Sequence, residues 1–461
     1  MRLLNKMLGT VLIGSVSVSL ANSVESVSEN SKKAFHAWAS TPPMGWNSWD
    51  CYGPTVTEDE VKANADYMAK HLKDTGWEYI VVDIRWYVEN TKAGGYNRNN
   101  PQYVMDQYGR LQPATNRFPS SAGGKGFKPL ADYVHSKGLK FGIHLMRGIP
   151  IAAVKKNTPI LGSTAKAADV HSQEKMCRWL KDMYKVEAGR EGSQEYYDSI
   201  FKMYAEWGVD YVKVDDLSFP YHKDEIEMIR KAIDKTGRRI VFSTSPGKSP
   251  LSEAEHLKGH ANLWRMSGDL WDNWKSVEHS FALCRSWSKH VGTGHWPDAD
   301  MLPLGRLSIR GERGRDRMSK LSKDEQITLM TLWSIFRSPL MFGGDLPSND
   351  EFTLSLLNNK EVMAVNQAST GNREILNKDG LSIWVADVPH SKEKYVALFN
   401  VHSPNGEKPV NMTLNFKDIG LVGTCKVRDL WTSKDLGDAE ESYSVIVPKH
   451  GSKLYKVTPK E

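Results

Sequence analysis

Between residues 38 and 366 the chain alternates short apolar runs with longer segments of helical period. The runs are Met44 to Trp46, Tyr79 to Asp83, Phe141 to His144, Tyr211 to Asp215, Ile240 to Ser243, Leu263 to Arg265, Asp300 to Leu302 and Leu340 to Gly343. Short runs separated by helices read as parallel strands, and eight of them in roughly this length predict fold class α/β, a (β/α)8 TIM barrel. The helices carry their own start and stop signals. Thr57-Glu58-Asp59-Glu60 is a capping box ahead of an apolar stripe at Val61, Ala65, Met68 and Leu72 that stops at Gly76. Ser322 to Glu325 repeats the device ahead of Leu329, Leu332 and Trp333, and a third helix over about residues 222–235 carries Ile226, Ile229 and Ile233.

Two long inserts, Asn90 to Gly126 and Pro150 to about Gln194, interrupt this rhythm. They follow the second and third strands, so they are expected to rise over the face where a barrel keeps its active site. After Asn366 the texture changes to short alternating segments such as Leu381 to Val385, Lys394 to Val401 and Val445 to Val447, which predicts a C-terminal antiparallel β-sandwich domain over 367–461. The N-terminus has a basic start, an apolar run from Met7 to Leu20 and small residues at Ser19 and Ala21. That is the three-part pattern of a signal peptide over 1–21, so the chain is expected to be exported, with a polar lead-in over 22–37 and no membrane span in the mature chain.

Charge narrows the partners. The net charge of +6 comes from 61 Lys and Arg against 55 Asp and Glu, scattered without a basic block. Nucleic acid is therefore not expected as a partner. The four cysteines, Cys51, Cys177, Cys284 and Cys425, lie far apart without ligand spacing, so no metal site is expected from them, and whether any of them pair is left open.

The chemistry gathers at the predicted strand ends. Tyr211-Val212-Lys213-Val214-Asp215-Asp216 places Lys213 and Asp215 on one face of a strand, which is costly in a core and useful at a barrel mouth. Asp83, His144, Arg147, Ser243, Ser245, Arg265, Asp269, Asp298 and Asp300 stand at or near other ends. Trp46, Trp49, Trp86, Trp264, Trp271 and Trp296 accompany them, and an indole face suits the apolar side of a sugar ring. Two carboxylates on separate strands are what glycoside hydrolysis needs.

At these residues the chain resembles glycoside hydrolase family 27, the family of α-galactosidases and α-N-acetylgalactosaminidases. The matching stretches are Thr41 to Trp49, Tyr211 to Asp215, Arg265-Met-Ser-Gly-Asp269, Trp296 to Leu302 and Arg337 to Asp345, in order and with compatible spacing. The resemblance implies a carbohydrate substrate, no cofactor, Asp215 as nucleophile and Asp269 as general acid/base. Lys213 and Arg265 would then bind ring hydroxyls and Asp83 a hydroxyl on the far side, with Trp46, Trp86, His144 and Ser245 completing the sugar site. Double displacement with retention is expected, which calls for carboxyls roughly 5 to 5.5 Å apart. Four residues separate Arg265 from Asp269, so Arg265 either pairs with Asp269 or is directed to substrate.

Departures from the family blur the substrate. Ile84 stands where typical α-galactosidases carry a second consecutive aspartate, and Arg85 stands where many have Cys. Leu217 and Thr244 replace a cysteine pair of animal and plant members, and Ser245 lies where galactosidases often have Glu and N-acetylgalactosaminidases have Ser. An α-galactosidase-like exo-glycosidase is the leading expectation, with α-N-acetylgalactosaminides, β-L-arabinopyranosides and isomaltose-type glucans as alternatives. Arg85 and Arg147 would suit an anionic substituent unless Arg85 turns away to a loop acid. A catalytically silent carbohydrate-binding barrel and a lysine-dependent Schiff-base enzyme are the readings from other classes.

Overall fold

The computed structural model describes residues 34–174, 176–402 and 408–460; the signal-peptide segment and most of the lead-in lie outside the described residues. Eight parallel strands form the first sheet: β1 Met44–Asn47, β2 Tyr79–Val82, β3 Lys140–Met146, β4 Tyr211–Asp215, β5 Val241–Thr244, β6 Leu263–Arg265, β7 Trp296–Asp298 and β8 Leu340–Phe342. Their order is β7-β6-β5-β4-β3-β2-β1-β8. The ring is completed beyond β7, where Leu302 bridges Phe342 in parallel. The expected seventh strand, Asp300 to Leu302, is corrected to Trp296–Asp298. Asp298 accepts from the backbone N–H of Asp300 and the chain turns left-handed there (φ 94°), so the Asp-Ala-Asp segment leaves the sheet before Leu302 rejoins it.

Local signals place the outer helices. Both capping boxes form, starting α1 (Glu58–His71) at Thr57 and a later helix, Lys323–Phe336, at Ser322. α1 ends at His71, and a short 3-10 turn carries the chain on to Gly76. Leaving aside two short helices in the second insert, the helices between these two are α2 Lys128–Ser136, α3 Ser193–Trp207, α4 Lys223–Lys235, α5 Ala254–His260 and α6 Trp274–Trp287, and Lys323–Phe336 is α7. The insert after β3 is tied down by a three-stranded antiparallel sheet of Ile149–Pro150, His171–Ser172 and Met183–Val186. Close packing just after β8 depends on Gly343, where a Cβ would meet Asp50 Oδ2 at 2.1 Å.

Helix α8 (Lys360–Ala368) leads into the antiparallel strands. These are β9 Thr370–Lys378, β10 Leu381–Asp387, β11 Lys394–Asn400, β12 Val410–Asn415, β13 Thr424–Asp429, β14 Lys434–Glu440, β15 Ser442–Val447 and β16 Ser452–Pro459. Six pair in the order β9-β10-β11-β16-β13-β14, and β12 pairs β15 as a second layer. Strand alternation gives this sheet two buried faces. Ile383, Val385, Val396 and Leu398 pack under the second layer, while Trp384, Ala386, Ala397 and Phe399 join the core of the barrel domain. Fully buried Trp384 meets Phe336 of α7 edge-on at 6.3 Å. Trp384→Ala is therefore expected to cost about 3–5 kcal/mol and to lower the melting temperature in calorimetry; an unchanged melt would show that the two domains do not depend on this contact.

Candidate active site

A cavity of about 310 Å³ opens at the carboxyl ends of the barrel strands. Asp83, Lys213, Asp215, Arg265 and Asp269 all line it, so five of the residues expected from the sequence meet in one place. Asp215 is the last residue of β4 and is buried, its side chain 7% exposed. Lys213, two residues earlier on the same face, holds its Nζ 3.7 Å from Asp215 Oδ1 and donates to Asp83 Oδ2 at 2.9 Å. His144, paired with Lys213 across the β3–β4 ladder, places Nε2 3.0 Å from the other oxygen of Asp215. Burial alone would raise the Asp215 carboxyl; Lys213 and His144 outweigh it and hold the group at about 2. Asp215 is thus an ionised carboxylate at neutral pH, the state a nucleophile requires.

Asp83 is saturated by protein. Its Oδ2 also accepts from Asn47 Nδ2 at 2.7 Å, and its Oδ1 accepts from the Ile84 N–H at 2.7 Å. Asp269 is placed differently: its side chain is 39% exposed and open to the cavity. The ambiguity over Arg265 resolves toward a third acid. Arg265 Nη1 lies 2.7 Å from Asp300 Oδ1 and Nη2 donates to the Gly268 carbonyl at 2.8 Å, whereas Asp269 is 3.4 Å away. Asp300 also accepts from the Leu270 N–H at 2.6 Å, which fixes the loop that carries Asp269. Burial raises the Asp300 carboxyl against the pull of Arg265, with Asp269 and Asp298 adding to the rise.

Other expected residues lie elsewhere. His144 is fully buried behind Asp215 and is not among the cavity-lining residues, so it acts through the nucleophile. Trp46 and Trp86 do not line the cavity: both are fully buried, donating to the carbonyls of Gly344 and His144 respectively, at 2.8 Å in each case. Trp86 sits edge-on to Tyr87, Phe127 and Trp207, which makes it core. Ser245 lies beneath the floor, and Pro246 and Gly247 form the wall instead. Arg85 turns away from the cavity to pair with Asp182, its Nε donating to the Tyr96 carbonyl at 2.6 Å. Arg147 is committed to Asp216 at 2.7 Å and Glu225 at 2.9 Å, so neither arginine serves as a fork for an anionic substituent. All four cysteines are buried and free.

Of the aromatic wall the sequence singled out Trp49 but not the two rings that continue it. Trp49 stacks on Tyr96 at 5.1 Å and 29°, and Tyr96 meets Trp179 at 5.3 Å, so the β1 end and both inserts contribute one ring each. The length of the inserts marked the region but not the residues. Asp50 is a second omission. It lines the cavity next to Gly343, and burial together with Asp300 and Asp269 pushes its carboxyl well above the usual range, which favours the neutral form.

A barrel that presents one buried, ionised carboxylate and one exposed carboxyl beside an aromatic wall has the parts that a glycoside hydrolase needs. Comparison with known proteins agrees. The sequence profile of the family described as alpha galactosidase A matches residues 41–155 and 151–368, and that of the alpha galactosidase C-terminal beta sandwich domain matches 378–457. The chain belongs to glycoside hydrolase family 27. An α-galactosidase of Coffea arabica is 30% identical over 428 residues, covering 91% of this chain and 94% of that one. Among solved structures, a family 27 β-L-arabinopyranosidase from Geobacillus stearothermophilus is 52% identical with a TM-score of 0.90, covering 92% of this chain and 98% of its own. A protein from Bacillus halodurans, described as a putative α-N-acetylgalactosaminidase, is 48% identical with a TM-score of 0.82, with 92% and 98% covered.

Two outcomes test the assignment of roles. Asp215→Ala should abolish turnover of an activated glycoside, and azide should restore part of it with inverted product; near-wild-type turnover would remove Asp215 from the mechanism. Lys213→Met removes the main cation that offsets the burial of Asp215, so the acid limb of kcat/KM should move up by roughly 1–3 pH units. An acid limb that stays in place would show that Asp215 does not control it.

Proposed function

We propose that the chain hydrolyses terminal β-L-arabinopyranosides in preference to α-D-galactosides, by double displacement with Asp215 as nucleophile and Asp269 as general acid/base. The two sugars share ring configuration from the anomeric carbon to carbon 4; arabinopyranose lacks the hydroxymethyl group on carbon 5. The observation that carries the reading is Ile84. It lines the cavity directly after Asp83, at the position where typical α-galactosidases of the family hold a second carboxylate. The sec-butyl side chain of isoleucine cannot accept from a hydroxyl, and a sugar hydroxyl buried against it without a partner costs about 1–3 kcal/mol. A ring that ends in a plain methylene leaves nothing unpaired there. The 52% identity to the Geobacillus arabinopyranosidase, against 30% to the coffee α-galactosidase, points the same way.

The competing substrates have less support. An acetamide pocket would need Ser245 to face the sugar, and it lies under the floor. A silent binding barrel would lack one carboxylate of the pair, and both line the cavity. A Schiff-base role for Lys213 conflicts with its ammonium group, which Asp215 and Asp83 hold well above the usual lysine range despite burial that works against them. We also propose export, supported by the pattern of Met1 to Ala21.

Kinetics on nitrophenyl β-L-arabinopyranoside, α-D-galactopyranoside and α-N-acetylgalactosaminide separate these readings. The arabinopyranoside should have the highest kcat/KM, and Ile84→Asp should shift the galactoside-to-arabinopyranoside ratio toward galactose by about 1–3 kcal/mol of transition-state binding. A wild type that prefers the galactoside, with no gain from Ile84→Asp, would overturn the proposed preference while leaving the glycosidase assignment intact.

A further inference from the structure

Away from the catalytic cavity, Glu227 on α4 faces His256 and His260 on α5, and ligand atoms from the three residues all lie within 4.8 Å of one another. The two histidines are one helical turn apart, so their rings share a face; they stack with centroids 4.1 Å apart at 26°. Both rings have Nδ1 engaged. His260 Nδ1 lies 2.8 Å from the His256 carbonyl, and His256 Nδ1 lies 2.5 Å from the Tyr221 hydroxyl. A carbonyl can only accept, so it fixes His260 as the tautomer with N–H on Nδ1 and leaves Nε2 with a free lone pair. A Tyr221 hydroxyl accepting from His256 does the same there, and such outer partners are what orient ligating histidines in metal sites.

The spacing of the Glu227–His256 pair fits as well, while the stacked His260 ring has to turn about its Cβ–Cγ bond to aim a nitrogen at the same ion. His256 Nε2 stands 3.2 Å from Glu227 Oε1. For zinc bound tetrahedrally at about 2.0–2.2 Å, neighbouring ligand atoms are about 3.3–3.5 Å apart, so this pair is already set to share one ion. Glu227 is 37% exposed, which gives an ion a way in and leaves water to complete the shell. We propose that Glu227, His256 and His260 bind one divalent cation of the zinc class, and that the ion clips α4 to α5. The consequence reaches the active site through the strands that feed these helices. α4 follows β4, which ends in Asp215, and α5 follows β5, whose exit supplies Pro246 and Gly247 to the cavity wall.

The test uses the full chain, stripped with a chelator and titrated with Zn²⁺ by calorimetry, with thermal melts in parallel and Co²⁺ absorption as a readout of tetrahedral geometry. One ion per chain is expected, with a rise in melting temperature on saturation. His256→Gln and His260→Gln should each weaken binding at least tenfold and remove the rise, while melting like the stripped wild type without zinc; Glu227→Gln should weaken it less. No binding, binding without a rise in melting temperature, or wild-type affinity in both histidine variants would overturn the proposal. The last result would place the ion elsewhere, such as on Asp83, His144 and Asp215.

Discussion

The barrel mouth is built around three buried charges: Lys213 between Asp83 and Asp215. An isolated carboxylate in this position would protonate, and an isolated ammonium would lose its proton. Together Lys213 and Asp215 stay charged, and the same ammonium group also bonds Asp83. Asn47, the Ile84 N–H and Lys213 saturate Asp83, and His144 supports Asp215 from behind. Removing any one partner leaves a buried charge uncompensated, so strands β1 to β4 must hold these side chains in register. The same arrangement supplies a nucleophile that is already ionised.

Around this centre the strand ends bend in ways that ordinary residues resist. Arg85, Asp216 and Asp300, which follow β2, β4 and β7, adopt φ of 79°, 68° and 94°. Such conformations cost about 1–3 kcal/mol each and persist only where surrounding contacts over-determine them. Those contacts are present. Arg85 pairs with Asp182 of the second insert, Asp216 is gripped by Arg147, and Asp300 takes Arg265 and the Leu270 N–H. Glu225, fully buried on α4, accepts from Arg147, the Tyr197 hydroxyl and the Val186 N–H, tying α3, α4 and the second insert to the end of β4. The inserts are thereby fixed to the barrel at the same points that present Asp215, and their rings Tyr96 and Trp179 can serve as a wall.

Periodicity was enough for the barrel and the antiparallel domain because short buried strands and amphipathic helices write themselves into the chain. It misplaced the seventh strand because Trp-Pro-Asp and Asp-Met-Leu are equally short, and only the Asp298 turn separates them. Charged site residues were legible for a related reason: Lys213 and Asp215 on one strand face have few alternatives to a barrel mouth. Tryptophans were not, since an indole serves a core as well as a sugar; Trp46 and Trp86 went to the core while Trp49 and Trp271 line the cavity. Partners that come from loops were illegible in principle. Nothing in the order of residues says that Arg85 meets Asp182, or that Asp50 rests against Gly343.

The central claim is that Asp215, kept ionised by Lys213 and His144, attacks the sugar and carries it as a covalent intermediate. A fluorosugar that slows the second step, such as a 2-deoxy-2-fluoro glycosyl fluoride of the preferred sugar, should add one glycosyl mass to the intact protein. Peptide mapping should then place that mass on Asp215 and on no other residue. A label on a different carboxylate, or an enzyme that turns the reagent over to inverted product without ever being labelled, would contradict the account.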